Sequence, residues 1–346
     1  MSALKPSLPV RIVVADDSTT ARRLLVSVCG RDPDIEVVGE ASDGAQAVQL
    51  TMRLRPSLVL MDVHMPVLDG LEATKQIMRN VPTPIIMVTS GTSPSDVEAG
   101  LTAIRFGALT VLPKPVGPGL NGFDASVARL NSMVKALADV KVIRRRVKDF
   151  HEQAAAPPRS GRIIAVAAST GGPPAVCQLL QHLPPDLEVP VVVVQHIVEG
   201  FLPGLVEWLR AEVPFHVTQA VHGGRLEAGT VYLAPDGYHL EVAANLSARL
   251  TEADPVVGFR PSATVLFRSL ARSLGPSATA IVLTGMGQDG LEGARELRRA
   301  GGRVLAQDET SSVVYGMPRA VAEAGLADRV GSIEQLAADV SEILEG

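Results

Sequence analysis

Short apolar runs rich in β-branched residues alternate with longer helical stretches, and this alternation limits the possible folds more than any other feature. In the first 140 residues the runs lie at 11–15, 35–39, 57–61, 84–88 and 110–112. Helical patterns lie between them, for example at Thr19–Cys29, Gly44–Leu54 and Leu71–Arg79. Strands that alternate with helices form a parallel sheet with helices on both faces. The pattern therefore predicts an α/β fold for this region.

The same alternation resumes after residue 162 and predicts a second α/β unit. Strands are expected at 163–168, 189–195 and 280–284. The stretch 229–242 is predicted to be a β-hairpin, because Pro235-Asp236-Gly237 has the composition of a turn between two apolar runs. The expected architecture is a mostly parallel, doubly wound sheet with one hairpin.

The residues between the two regions have the composition of a linker. The stretch 122–150 is predicted to be a long helix that ends in the basic run 141–148, and an Ala- and Pro-rich segment follows it. The basic run is either a docking surface for an acidic partner or, as the negative charge of the whole chain favours, a solvated helix face. We therefore predict three parts: a first domain at 1–135, a linker at 136–160 and a second domain at 161–346.

Charge, cysteine content and hydropathy exclude several classes of protein. The formal net charge is −5, which argues against a protein that binds nucleic acid by neutralising phosphates. The two cysteines, Cys29 and Cys177, lie far apart and provide neither a disulfide framework nor a metal-binding spacing. No apolar run approaches the roughly 18 residues of a membrane span, and the N-terminal stretch lacks a signal-peptide core. We expect a cytoplasmic monomer that neither binds nucleic acid nor inserts into a membrane.

Five polar residues follow the ends of four predicted strands of the first domain. Because the carboxyl ends of parallel strands meet at one edge of a sheet, these residues should converge there: Asp16, Asp17, Asp62, Thr89 and Lys114. Three carboxylates suit a hard cation such as Mg²⁺, which would assist the placing of a phosphoryl group on Asp62. Lys114 would pair with that group, and Thr89 would hydrogen-bond one of its oxygens. A single Asp at a strand end is more often a cap, but chance does not readily explain the whole set.

Four strings of the first domain resemble the receiver domain of two-component response regulators. They are A-D-D-S (15–18), L-M-D-V-H-M-P-V-L-D-G (60–70), V-T-S (88–90) and L-P-K-P (112–115). The resemblance implies a flavodoxin-like (βα)5 fold, with Asp62 as phosphoacceptor and Asp16 and Asp17 as Mg²⁺ ligands. It also implies Thr89 as the switch residue and Lys114 as the phosphate partner. Val111 stands where many receivers carry a switching aromatic residue.

In the second domain, the stretch I-A-V-A-A-S-T-G-G-P at 164–173 places Ser169 after an apolar run. Neither G-x-G-x-x-G nor G-x-x-x-x-G-K-[ST] is present, so a nucleotide-binding loop is not indicated. Ser169 is either a nucleophile on a sharp strand-to-helix turn or the N-cap of the following helix. From this string alone the N-cap is the better interpretation.

A nucleophilic serine needs a base and a group that orients the base. His196 is the best candidate base, because it ends a buried run predicted to pair with the strand before Ser169. Asp289, in T-G-M-G-Q-D-G, is the best candidate orienting carboxylate. Each also has an ordinary structural interpretation: His196 as a satisfied histidine at a strand end and Asp289 as a helix N-cap.

Several strings of the second domain resemble the catalytic domain of the CheB family of chemotaxis protein-glutamate methylesterases. They are A-S-T-G-G-P, V-Q-H, G-F-R-P-S (258–262), L-T-G-M-G-Q-D-G and V-V-Y-G-M-P (313–318). The resemblance implies Ser169 as nucleophile, His196 as base, Asp289 as orienting residue and oxyanion donors near Thr170 and Met286. Ala167 stands where glycine is common, and Q-H-I-V-E-G-F replaces the usual Q-H-M-P-P-G-F.

The two resemblances together imply an activity, its cofactor and its partners. The activity is the hydrolysis of glutamate γ-methyl esters on chemoreceptor cytoplasmic domains, with release of methanol and with deamidation of receptor glutamines as a further reaction. A chemotaxis histidine kinase would supply the phosphoryl group. Mg²⁺ would be needed in the receiver domain and no cofactor in the catalytic domain. We expect the unphosphorylated receiver to cover the Ser169 rim and phosphorylation of Asp62 to open it.

Two other functions are compatible with parts of the sequence. A phosphorylation-controlled adaptor could use the second domain only to dock on receptors, although it would not need Ser169, His196 and Asp289 together. A transcriptional response regulator is disfavoured, because no basic helix-turn-helix pattern follows the linker. A serine-directed probe that labels Ser169 would distinguish the enzyme from the adaptor.

Overall fold

The computed structural model describes residues 8–91, 93–140 and 162–345. They form an N-terminal unit up to residue 140 and a C-terminal unit from residue 162. Most of the predicted linker at 136–160, including its basic run, lies outside the described residues, and the domain boundaries remain a prediction. The helix expected over 122–150 ends at Leu137, and a turn follows at 138–139, so that prediction is wrong at its described end.

The N-terminal unit is a five-stranded parallel sheet with alternating helices. Its strands are β1 (Val10–Ala15), β2 (Ile35–Ala41), β3 (Leu58–Asp62), β4 (Ile85–Thr89) and β5 (Thr110–Pro113). Its helices are α1 (Thr19–Cys29), α2 (Gly44–Leu54), α3 (Gly70–Asn80), α4 (Pro94–Arg105) and α5 (Phe123–Leu137). The strand order is β2-β1-β3-β4-β5, and every pair is parallel. The predicted (βα)5 fold is confirmed.

Local sequence explains where these elements begin. Every residue of β3 and β4 is buried, as expected for continuous apolar runs in a sheet covered on both faces. Ser18, Asp43 and Asp69 are the N-caps of α1, α2 and α3, and each side chain accepts a hydrogen bond from a backbone N–H of the first turn.

The C-terminal unit contains a seven-stranded sheet and a separate hairpin. The strands are β6 (Ile163–Ala168), β7 (Val191–Gln195), β8 (His216–Gln219), β9 (Thr230–Leu233), β10 (His239–Val242), β11 (Ala248–Thr251), β12 (Ala278–Val282), β13 (Arg303–Gln307) and β14 (Arg329–Gly331). The α-helices are α6 (Gly172–His182), α7 (Leu202–Glu212), α8 (Ala263–Ser273), α9 (Leu291–Arg299), α10 (Met317–Glu323) and α11 (Ile333–Glu345), and Gly275–Ser277 forms a 3₁₀ turn. The large sheet has the order β14-β13-β12-β6-β7-β9-β8 with parallel pairing throughout. The predicted mostly parallel, doubly wound sheet is confirmed.

The hairpin is not where the sequence analysis placed it. Within the predicted segment 229–242, β9 pairs in parallel with β7 and β8, so both of its edges are already used. β10 instead pairs antiparallel with β11, with His239 opposite Thr251. The turn at Pro235-Asp236-Gly237 therefore connects two sheets rather than two strands of one hairpin.

The strand orders create an equivalent crevice in each unit. In the N-terminal sheet the connections leave in opposite directions from β1 and β3, and in the C-terminal sheet they do so from β6 and β12. Ligand sites of doubly wound sheets lie beyond the carboxyl ends of strands at such switch points. All six residues of β6 are buried, so the switch point of the C-terminal sheet adjoins the apolar core.

Candidate functional site

Three carboxylates meet at the switch point of the N-terminal sheet. One oxygen from each of Asp16, Asp17 and Asp62 lies within 4.8 Å of the others. Asp16 is fully buried, Asp62 is nearly so, and Asp17 is exposed. An all-oxygen cluster with one open side fits a hard divalent cation.

Lys114 pairs with two of these carboxylates. Its Nζ lies 2.8 Å from Asp16 Oδ2 and 3.0 Å from Asp62 Oδ1. Burial raises the pKa of Asp62; Lys114 opposes this rise and the nearby Asp16 adds to it, so the pKa lies above its ordinary value. Burial lowers the pKa of Lys114, but the hydrogen bonds and charges of Asp16 and Asp62 outweigh it and raise that pKa. The lysine therefore stays charged between the two carboxylates.

Thr89 ends β4 at the same edge, and its side chain bonds to its own loop. The hydroxyl donates to the Gly91 carbonyl at 3.1 Å and accepts from the Gly91 N–H at 3.3 Å. Val111 lies buried in β5, in the place where the sequence analysis noted the lack of an aromatic side chain. All five sequence-predicted residues of this unit thus lie at one sheet edge.

Ser169 directly follows β6, the central strand of the C-terminal sheet. Its N–H donates to the Thr284 carbonyl at 3.0 Å, and its own carbonyl accepts from the Gly172 N–H at 2.8 Å. The N-cap of α6 is Gly171, with φ of 74°, and no side chain caps this helix. The alternative interpretation of Ser169 as the helix N-cap is therefore wrong.

His196 leaves the neighbouring strand at the same level as Ser169. Ala168 pairs with Gln195 across β6 and β7, and the His196 N–H donates to the Ala168 carbonyl at 2.9 Å. The buried Gln195 amide donates to the backbone carbonyls of both Ser169 and His196, at 2.8 Å each. Gln195 thus ties the backbones of the two residues together.

Asp289 completes the cluster from the loop after β12. Its Oδ2 lies 2.9 Å from His196 Nε2, and its side chain is fully buried. Three further donors reach the carboxylate from one short segment: Ser262 Oγ at 2.7 Å, the Ala263 N–H at 2.7 Å and the Thr264 N–H at 3.1 Å. The carboxylate therefore lies at the N-terminus of α8, where negative charge is favoured.

These contacts determine the ionisation of Asp289. Burial alone would raise its pKa, but the hydrogen bond and charge of His196 and the hydrogen bonds from Ser262 and Thr264 outweigh burial. The pKa is lowered to about 2. The N-cap of α9 is Gly290, so Asp289 does not cap the helix that follows it, as its alternative interpretation required.

The position of Asp289 assigns roles to the two ring nitrogens of His196. A carboxylate accepts hydrogen bonds only, so Nε2 carries the proton that it donates to Asp289. Nδ1 is buried and has no hydrogen-bond partner among the residues described. In the neutral ring Nδ1 is thus an acceptor, and it could take a proton from Ser169 at the end of β6.

The two residues expected to supply oxyanion donors lie close to Ser169. Thr170 follows it directly in the chain. Gly285, which precedes Met286, packs so tightly against Ser169 that an added Cβ would lie 2.7 Å from the serine Cβ. Thr170 and the residue before Met286 therefore both adjoin the serine, and the donor roles of Thr170 and Met286 stay a prediction.

Sequence reasoning did not assign roles to several residues that the structure brings to this cluster. They are Gln195, Phe259, Ser262 and Thr264. Ser262 immediately precedes an apolar helical pattern, which is the usual signal of an N-cap and could have marked the start of α8. No local pattern could have shown that this helix N-terminus faces Asp289.

No helix in the described ranges is long and apolar enough to cross a membrane.

Two family models match the chain, one in each unit. A model described as CheB methylesterase matches residues 164–340, and one described as response regulator receiver domain matches residues 12–120.

Curated relatives align over nearly the whole chain. Protein-glutamate methylesterase/protein-glutamine glutaminase 4 of Myxococcus xanthus is 52% identical, and the alignment covers 98% of this chain and 98% of that protein. Protein-glutamate methylesterase/protein-glutamine glutaminase 3 of Anaeromyxobacter dehalogenans is 48% identical, with 93% and 95% covered. Among solved structures, the Thermotoga maritima CheB methylesterase catalytic domain matches 54% of this chain and 100% of its own, with TM-score 0.52 and 34% identity.

Proposed function

The chain belongs to the CheB methylesterase family, with a receiver domain before the catalytic domain, and from this premise we propose that it hydrolyses glutamate γ-methyl esters of chemoreceptors under the control of phosphorylation. The observation that carries the proposal is the bond of 2.9 Å between His196 and a buried, charged Asp289, next to the strand that ends at Ser169. Receptor cytoplasmic domains are the proposed substrate, so we infer a cytoplasmic enzyme, and we expect a monomer.

The first half of the reaction forms an acyl-enzyme. Ser169 Oγ attacks the ester carbonyl carbon while His196 Nδ1 takes the hydroxyl proton. Asp289 stays ionised, holds the ring by its Nε2–H and stabilises the imidazolium. Backbone N–H groups of Thr170 and Met286 are the proposed donors to the oxyanion.

The second half releases the products. The imidazolium returns its proton to the departing methoxide, and methanol leaves. His196 then takes a proton from water, whose oxygen attacks the acyl carbon. The bond from that carbon to Ser169 Oγ breaks as the imidazolium returns the proton to Oγ, which regenerates the serine and frees the glutamate carboxylate. A glutamine side chain would pass through the same acyl-enzyme with ammonia as the leaving group, so deamidation of receptor glutamines is a second proposed reaction. No step of either half requires a cofactor.

The receiver unit supplies the control. Asp16, Asp17 and Asp62 would hold Mg²⁺, which when bound would neutralise charge on the phosphoryl group during its transfer. A chemotaxis histidine kinase is the proposed donor and Asp62 the acceptor. Lys114, already between Asp16 and Asp62, would pair with the phosphoryl oxygens, and Thr89 would turn its hydroxyl from Gly91 towards them.

The test is methanol release from methylated receptor membranes by the full chain, with and without a small phosphodonor. Ser169→Ala should reduce turnover by about a thousandfold or more, because it removes the nucleophile. Ser341→Ala is the matched control, because that hydroxyl donates to the carbonyl one turn earlier in α11 and not to the Ser169 cluster. Undiminished release by Ser169→Ala would refute the triad, and an unchanged protein that binds receptors but releases no methanol would be an adaptor.

A further inference from the structure

The ring of Phe259 lies flat on the imidazole of His196. The ring centroids are 3.8 Å apart and the planes differ by 1°. Phe259 is half-buried, whereas the His196 side chain is 6% exposed. The phenyl ring thus covers a face of the imidazole, while Asp289 contacts one of its edges.

A strained turn presents Phe259 to the imidazole. Val256 and Phe259 exchange two backbone hydrogen bonds, of 3.1 and 3.0 Å, across the intervening Val257 and Gly258. Both intervening residues have positive φ, 53° and 81°, as in a type I′ turn. A β-branched residue in this conformation is strained, and such strain persists where surrounding contacts hold it. The Val257 side chain is exposed, so its own burial does not offset the strain of the turn.

The same segment also holds Asp289. Three residues after Phe259 the chain reaches Ser262, whose hydroxyl donates to Asp289 Oδ1 at 2.7 Å. The N–H groups of Ala263 and Thr264 add two further hydrogen bonds. Phe259 therefore contacts the face of His196, and residues 262–264 contact the carboxylate that orients it.

The buried His239 hydrogen-bonds the chain on both sides of Phe259. His239 Nδ1 accepts the Ser262 N–H at 3.2 Å, and its Nε2 bonds the Asp254 carbonyl at 3.1 Å. Because one ring nitrogen accepts and the other donates, this imidazole is neutral. The stretch that carries Phe259 is thus anchored at Asp254 and at Ser262.

We propose that Phe259 is a positioning residue for His196, an inference that rests on the proposed esterase function. Stacking restricts rotation of the imidazole, so that Nε2 stays on Asp289 and Nδ1 stays directed to the neighbouring strand end. It also places an aromatic face against the imidazolium that forms when His196 takes the serine proton, and such a face attracts a cation. Phe259 forms no bond to the substrate in this role.

The proposal is tested by substitutions of Phe259 that remove the aromatic ring but keep an apolar side chain, and by one that keeps the ring. Phe259→Leu keeps an apolar side chain but loses the π face, and we expect kcat to fall about tenfold with KM changed less than about twofold. Phe259→Tyr keeps the ring and should retain kcat within about twofold. Val257→Asn, in the same turn, relieves the positive-φ strain and should leave kcat unchanged. Fluorescence of Trp208, the single tryptophan, monitors folding of the C-terminal unit in each variant.

A kcat for Phe259→Leu equal to that of the unchanged protein would overturn the proposal, as would an equal loss in Phe259→Tyr. If Phe259→Leu fails to fold, Phe259→Met replaces it, with the same expectation. If the unchanged protein releases no methanol, the esterase proposal fails on its own. The rate of Ser169 labelling by a fluorophosphonate then tests the positioning role: a drop in Phe259→Leu but not in Phe259→Tyr supports it, and equal rates refute it.

Discussion

Asp62 and Asp289 are buried carboxylates at the switch points of two similar sheets, yet their pKa values shift in opposite directions. Burial raises the pKa of Asp62, and Lys114, which Asp16 shares, does not offset it. Burial of Asp289 is outweighed by His196, Ser262 and Thr264, and its pKa falls to about 2. The comparison shows that the donors aimed at a buried carboxylate decide whether its pKa rises or falls.

The difference fits the proposed roles. Asp62 lies among negative charges, so an arriving cation would relieve its repulsion from Asp16. Asp289 is held by four residues from two other segments, so it can orient His196 without changing its own ionisation. The surroundings of Asp62 therefore favour a change in its charge environment, whereas those of Asp289 keep its carboxylate ionised.

Replacement of the fully satisfied carboxylate should have the largest effect. Asp289→Asn keeps the shape but can present an amide N–H to His196, which favours the wrong tautomer, so we expect kcat to fall by about a thousandfold to ten-thousandfold. Asp186→Asn, at an exposed carboxylate of the same unit, is the control and should change nothing. Steady-state methanol release measures both, and a loss below about tenfold would show that the hydrogen bond to Asp289 is not needed.

Gly70 packs against Asp62 and Gly285 packs against Ser169, and the two glycines should differ in how well they tolerate a side chain. A Cβ on Gly70 would lie 1.9 Å from the Asp62 carbonyl oxygen, whereas one on Gly285 would meet Met317 Sδ at 2.5 Å and Ser169 Cβ at 2.7 Å. The contact at Gly70 is far shorter and is with backbone, whereas the shortest contact at Gly285 is with the end of a flexible methionine. Gly70→Ala should therefore cost about 3 kcal/mol of unfolding free energy and Gly285→Ala rather less.

Hydrogen exchange read on peptides of each unit measures these losses. Gly117→Ala, whose nearest neighbour would be a leucine methyl group at 3.7 Å, is the control. Gly285→Ala should also slow methanol release, because it displaces Ser169. Equal stability of the two glycine variants would contradict the comparison.

Acid should destabilise the C-terminal unit through Asp289. A carboxyl whose folded-state pKa is lowered stabilises the fold above its unfolded value, and that stabilisation is lost as the pH falls through the folded value. For Asp289 the window runs from the ordinary 3.8 down to about 2, and the loss amounts to about 2 kcal/mol. Urea unfolding followed by Trp208 fluorescence should show this loss between pH 4 and pH 2, and Asp289→Asn should lack it. An identical acid dependence in both proteins would contradict the assignment.

The smallest effect on stability is expected when Asp62 is replaced. Without added divalent cation, Asp62→Asn removes one of two charges competing for Lys114, so the stability of the N-terminal unit should change by less than about 1 kcal/mol or rise. Hydrogen exchange of peptides from β3 and β5 measures it. A loss of about 2 kcal/mol, as large as the stabilisation ascribed to Asp289, would mean that the two carboxylates are held alike. The same variant should abolish the response of methanol release to a phosphodonor.

Much of both sites was predictable because parallel strands converge at their carboxyl ends. Asp16, Asp62, Thr89 and Lys114 each follow a recognisable apolar run, and so do Ser169 and His196. Strands of a sheet covered on both faces need apolar residues on both sides, so the end of each continuous apolar run marks the end of a strand. The family strings added which of these residues to consider together.

The alternation of apolar runs and helical patterns acts over short stretches of chain. By itself it determined two doubly wound sheets and the residues at their edges. Tertiary structure alone decided that β10 pairs with β11, that Asp289 accepts hydrogen bonds from the N-terminus of α8, and that Phe259 stacks on His196. These contacts join residues that are far apart in the chain; His196 and Asp289, for example, are separated by 93 positions. Contacts of that kind depend on how whole elements pack and close long loops, which no short window of sequence encodes.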